Sequence, residues 1–119
     1  MDKTRAKALS ETEGCDVLAR VFSERGYAIA RDVAFDERGV TCTLDGWDGA
    51  ARVGFEYMTH AAGDHDDLTS DELGRLAARM ERGELYVFIV DERDVAGAGE
   101  LEGAASMFLD EVSKRRGVA

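Results

Sequence analysis

Val40-Thr41-Cys42-Thr43-Leu44-Asp45-Gly46-Trp47-Asp48-Gly49-Ala50-Ala51-Arg52-Val53-Gly54-Phe55-Glu56-Tyr57-Met58 is the stretch on which the fold turns. Two runs of alternating apolar and polar residues, Val40 to Asp45 and Arg52 to Met58, flank the turn-forming residues Gly46 to Gly49, the pattern of a β-hairpin. A third strand-like segment, Tyr27 to Phe35, precedes them across Asp36-Glu37-Arg38-Gly39. Connections this short join antiparallel neighbours, so the three segments form a meander.

Period-two alternation sorts the side chains onto two faces. Val40, Cys42 and Leu44 fall with Val53, Phe55 and Tyr57, while Thr41, Thr43 and Asp45 fall with Arg52, Gly54, Glu56 and Met58. The first face reads as core. The second reads as polar and open to chemistry. Register then decides what the acids can do. A tight Asp48-Gly49 turn sets Asp45 opposite Arg52 and Glu56 opposite Thr41, leaving the carboxylates about 13 Å apart along the ladder. A wider loop centred near Ala50 and Ala51 sets the two acids opposite each other. Asp-Gly between strands is the stronger hairpin signal, so the expected arrangement is the tight turn, with Asp45 answering Arg52.

Helices surround this meander. Ser10 with Glu13 is a capping box, and Val17, Leu18, Val21 and Phe22 recur at helical spacing until Gly26, predicting a helix from about Glu11 to Arg25. Thr69 with Glu72 is a second capping box, opening a helix with Leu73, Leu76, Ala77 and Met80 on one stripe and Gly83 at its end. Leu85 to Val90 is continuously apolar, which predicts a strand covered on both faces in the middle of the sheet. Gly97 and Gly99 precede a last helix, about Glu100 to Arg116, with Leu101, Ala105, Phe108, Leu109 and Val112 inward. The expected architecture is α/β (α+β): helix, three-stranded antiparallel meander, helix, buried strand, helix, with the helices packed on one central sheet. Residues 1–9 read as a flexible basic tail and 10–119 as a single domain.

The chain has 119 residues, 45% hydrophobic and 34% charged, with a formal net charge of −10. That balance suits a folded, water-soluble domain, and no apolar run reaches the length of a membrane span. No secretory signal pattern opens the chain, so a cytoplasmic location is expected. Cys15 and Cys42 lack metal-ligand spacing and read as small buried hydrophobes. Basic residues number 8 against 11 acidic ones up to residue 60, and 7 against 14 beyond it. A surface so acidic repels nucleic acid and favours a protein partner. The one basic cluster, Lys114-Arg115-Arg116, suits the last turn of a helix.

The order of elements, with Asp45 on the second strand and Glu56 on the third, resembles the core of the restriction-endonuclease-like superfamily, the PD-(D/E)XK nucleases. The resemblance spans Ser10 to Val112. It implies that Asp45 and Glu56 hold a magnesium ion, and that a lysine two residues after the second acid activates the attacking water. Met58 stands at that lysine position, and a thioether does none of the lysine's work. Arg75 or Arg79 is available as a charge stabiliser, but a guanidinium stays protonated and is a poor base. Leu44 takes the position before the first acid, where the family often has proline.

Three other places carry candidate chemistry. Trp47 either anchors a partner surface or folds over the sheet, and with Arg52 it forms the candidate binding pair. The loop His60 to Asp67 holds both histidines and three aspartates without matching a known metal loop. Asp91-Glu92-Arg93-Asp94 sits where open α/β sheets place ligands, although such a run also simply solvates a turn. A ligand pocket around Gly54 is a third, less specific option. The functional expectation is a non-catalytic, regulatory or immunity-like domain acting through protein–protein contact without a cofactor; the alternative is a divergent Mg²⁺-dependent nuclease or phosphodiesterase using Asp45 and Glu56.

Overall fold

A computed structural model describes residues 9–59 and 68–117. Both capping boxes form: the Ser10 and Thr69 hydroxyls accept from the Glu13 and Glu72 amides, and each glutamate reaches back to the cap amide. They open α1 (Glu11–Glu24) and α2 (Ser70–Glu81), and α3 (Ala98–Arg115) closes the order. Between the helices run β1 (Ala30–Glu37), β2 (Val40–Asp48), β3 (Val53–Met58) and β4 (Tyr86–Asp91). The strands form one sheet in the order β1-β2-β3-β4, antiparallel through the meander and parallel between β3 and β4.

Strand β4 therefore lies at the edge of the sheet, not in the middle. Its apolar run has a different cause, namely that helices cover both of its faces. Tyr86 and Val90 enter a cluster with Leu18 and Phe22 of α1, Leu101 and Leu109 of α3, and Val53, Phe55 and Tyr57. Leu85 and Val87 enter a second cluster, with Leu76 of α2 and with Phe35, Val40, Leu44 and Trp47. The expectation of one core face and one polar face is overturned, since each side of the sheet carries its own apolar layer. Val40 and Leu44 also sit on the α2 side, opposite Val53, Phe55 and Tyr57.

The side assignment fails because β1 and β2 both change phase at one point. Pairing between β1 and β2 runs from Ala30↔Trp47 to Glu37↔Val40 but skips the pair Asp32 and Asp45. Asp32 has φ +53°, the left-handed region. Arg31 thus faces α1, where it pairs with Asp16, whereas Val33 two residues on packs toward α2.

At this jog the hairpin folds back over the α2 face. Glu37 and Arg52 belong to opposite ends of β2, about 26 Å apart on a straight ribbon, yet the Arg52 guanidinium grips the Glu37 carboxylate at 3.0 and 2.8 Å. Arg79 of α2, 5% exposed, joins them, donating to Glu37 at 3.0 Å and to Glu84 at 2.9 Å. Arg82 also donates to Glu84. Guanidinium donors hold both Glu37 and Glu84 down at about 2. The hairpin tip makes this reach with Arg38 at φ +47° and Gly39 at φ +85°, the two-residue turn whose twist matches paired strands.

The second connection is not the tight Asp48-Gly49 turn. Gly46 pairs with Phe55, Trp47 with Gly54 and Asp48 with Val53, so residues 49–52 form a wider loop. Asp48 is the reason, because its carboxylate is drawn into the loop as an acceptor for the Ala51 and Ala28 amides at 3.0 and 2.8 Å. Those amides keep its carboxyl below the ordinary range.

Candidate functional site

Continuing that register by one pair sets Asp45 opposite Glu56. The two acids are brought together, and Asp45 does not answer Arg52. Regular pairing stops at Gly46 and Phe55, and beyond it the carboxylates themselves bridge β2 and β3. The Asp45 amide donates to Glu56 Oε1 at 3.1 Å, and the Tyr57 amide donates to Asp45 Oδ2 at 2.7 Å. Each acid thus satisfies a backbone donor that the broken ladder would otherwise leave bare in the interior.

Both side chains are buried, Asp45 at 6% and Glu56 at 3% exposure. Burial raises the Asp45 carboxyl above its usual range, opposed by hydrogen bonds from the Tyr57 amide, the Cys15 thiol and the Glu56 carboxyl. Asp32 adds repulsion from across the jog, in the same direction as burial. Cys15, 3% exposed, closes the pair from the α1 side, and burial beside Asp45 pushes its thiol well up, out of the range of a reactive thiolate. Cys42 is half-buried, and burial followed by the charge of Glu56 pushes it up to about 12. Both cysteines are free.

A polar cleft of about 200 Å³ opens beside Cys15, lined by Glu11, Thr12, Arg31 and Asp32. Arg31 is the one cation there, and it leans on Asp16 at 3.4 Å. Met58 occupies the lysine position at the end of β3. Arg75 donates to the Gly39 carbonyl at 2.9 Å, and Arg79 is committed to Glu37 and Glu84, so both arginines serve the hairpin clasp. Among the described residues no three His, Cys, Asp or Glu side chains are grouped to hold a metal ion.

Trp47 takes the inward alternative. It is 8% exposed, meets Phe35 edge to face at 5.4 Å between ring centroids, and carries the Arg52 guanidinium over its ring at 5.4 Å. It is not available as an exposed anchor, and Arg52 is engaged by Glu37. Gly54 lies beneath the indole: a Cβ there would meet the Gly46 carbonyl at 2.2 Å and Trp47 Cε3 at 2.8 Å, so the space around Gly54 is filled and is no pocket. His60 to Asp67 lies outside the described residues. Asp91 caps the short turn Glu92–Asp94 and binds Arg93, which gives that run a local structural task. The acid pairing was the second of the two registers weighed from the sequence, and what the sequence reading missed is the burial of Arg79 in the clasp. The signal for Arg79 was its place one turn beyond Arg75 and next to Met80, with Glu84 five residues on.

No helix among the described residues is long and apolar enough to cross a membrane. Comparison of the chain with protein-family models, curated proteins and solved structures finds no match.

Proposed function

We propose that the chain is a non-catalytic domain that acts by binding another protein, in a regulatory or immunity-like role. The observation that supports this reading is the condition of the acid pair. Asp45 and Glu56 are buried and spent on backbone amides, and a thioether stands where a proton-handling amine would be needed. A catalytic carboxylate pair needs access to substrate and a base matched to its task. Here the carboxylates do the work of a missing piece of β-ladder. The net charge of −10 favours a partner with a basic surface over nucleic acid.

A second reading is favoured by one specific observation, the direct opposition of Asp45 and Glu56 beside the Arg31 cleft. In a divergent metal-dependent nuclease or phosphodiesterase of PD-(D/E)XK type, these two acids would hold Mg²⁺, which would stabilise charge on a phosphoryl group. A cation there must compete with two backbone donors.

Thermal melting with 0–10 mM MgCl₂ or MnCl₂ separates the two, on the order of the range where weak sites fill. The non-catalytic reading expects no shift in Tm. A rise that grows with metal concentration, is lost in Glu56→Ala and accompanies cleavage of DNA would replace it with the second.

A further inference from the structure

The sheet ends in two edges, and they differ in how far they are closed. At the β4 edge Val87 is 1% exposed and its amide reaches the Met80 thioether of α2 at 3.4 Å. Strand β1 bonds β2 on one side, and among the described residues no strand lies along its other side. Glu37 and Val40 flank the two-residue turn and so bond each other, which by alternation sends the Phe35 and Val33 peptide groups inward to β2 and those of Ala34 and Asp36 outward. Ala34 and Asp36 are exposed, whereas Phe35 between them is buried on the α2 side.

Charge along this edge is acidic. Asp32 and Asp36 both stand exposed on β1. The cations beside them are turned to other acids, Arg31 to Asp16 at 3.4 Å and Arg38 toward Glu84 at 4.0 Å. Charged side chains and an irregular backbone, here at Asp32, guard an edge against strands of like charge. Toward a basic strand the same aspartates are attractive. We propose that the β1 edge receives an extended basic segment of a partner protein as a fifth strand, bonded to the Ala34 and Asp36 peptide groups, with a lysine or arginine across from Asp36. The inference rests on the protein-binding reading above and names its surface. Ala34 ends at Cβ, so a large side chain fits across from it. The phase change at Asp32 ends the regular edge, which limits the seat to residues 33–37. A second copy is a poor occupant, because it brings a further net charge of −10 and the same two aspartates.

Amide NMR shifts of the full chain, titrated with two blocked heptapeptides, test this: one alternates β-branched residues with lysine, and the other carries glutamate in place of each lysine. The expected result is that the lysine peptide shifts the Ala34 and Asp36 amides and binds about tenfold more tightly than the glutamate peptide. Asp36→Lys, a change at an exposed position, should reverse that preference. Ala34→Pro, which removes an outward N–H from an edge strand, should abolish binding of either peptide; where that variant does not fold, the charge reversal decides alone. No shift at Ala34 and Asp36, equal affinity for both charges, or self-association through β1 in sedimentation overturns the proposal. Peptide-induced shifts gathered on another surface sink this edge and leave the protein-binding reading standing. Metal-dependent stabilisation at Asp45 and Glu56 sinks that reading whatever the peptides do.

Discussion

Two junctions in this protein bury ionisable groups, and they solve the problem in opposite ways. Where β2 parts from β3, Asp45 and Glu56 face each other in the interior, and their oxygens are taken up by backbone amides of the two strands. Where the hairpin tip meets α2 and the start of β4, Glu37 and Glu84 are gripped by Arg52, Arg79 and Arg82. Burial of Asp45 favours its neutral form. An opposite-charged network is strongest when every member is ionised. The difference teaches that Asp45, which looks catalytic in sequence, is an acid whose charged form the fold disfavours.

The harshest way to break the second junction is Trp47→Ala, which removes the ring under Arg52 and the contact with Phe35. It should lower unfolding free energy by about 3–5 kcal/mol in urea titration, and a loss below about 1 kcal/mol would show that the hairpin does not rest on this ring. Arg79→Ala comes next. It leaves Glu37 and Glu84 facing each other without their buried cation, and about 2–4 kcal/mol should go, less than for a fully enclosed pair because both glutamates are about one-third exposed. An unchanged midpoint would mean that Arg52 and Arg82 alone close the clasp.

Acidity sharpens the comparison with a smaller effect. Glu37 and Glu84 have carboxyls lowered from 4.5 to about 2, so their stabilisation is full above 4.5 and is lost as pH falls through 2. Asp45 is raised, so its contribution is full below 3.8 and is lost as pH rises through the raised value. The two junctions therefore pull the stability curve in opposite directions. Asp45→Asn should stabilise the protein at pH 8 and leave it unchanged near pH 3, as read from thermal melts across that range. A variant that tracks the wild type at every pH would show that Asp45 carries no such penalty.

Much of the architecture was legible in the residues. Ser10 with Glu13 and Thr69 with Glu72 marked the helix starts, and Gly83 marked an end, because caps are local and need no tertiary context. The meander and the coverage of β4 were legible from periodicity. Its place in the sheet was not, since an apolar run reports that both faces are covered and says nothing about edges. The acid pair was misplaced because Asp48-Gly49 has the chemistry of a tight turn, while the Asp48 carboxylate bonds Ala28, 20 residues upstream. Trp47 became readable only once register set it over Gly54. Nor does any local rule give Asp32 a left-handed backbone, which is what reverses the faces of the hairpin.

That fold-back carries a corollary for the order of assembly. Residues 33–37 and 40–44 zip locally, but their tip finds Arg52, Arg79 and Glu84 only after α2 and β4 have been delivered by later stretches of chain. Docking of the ribbon tip therefore waits on the delivery of α2 and the start of β4.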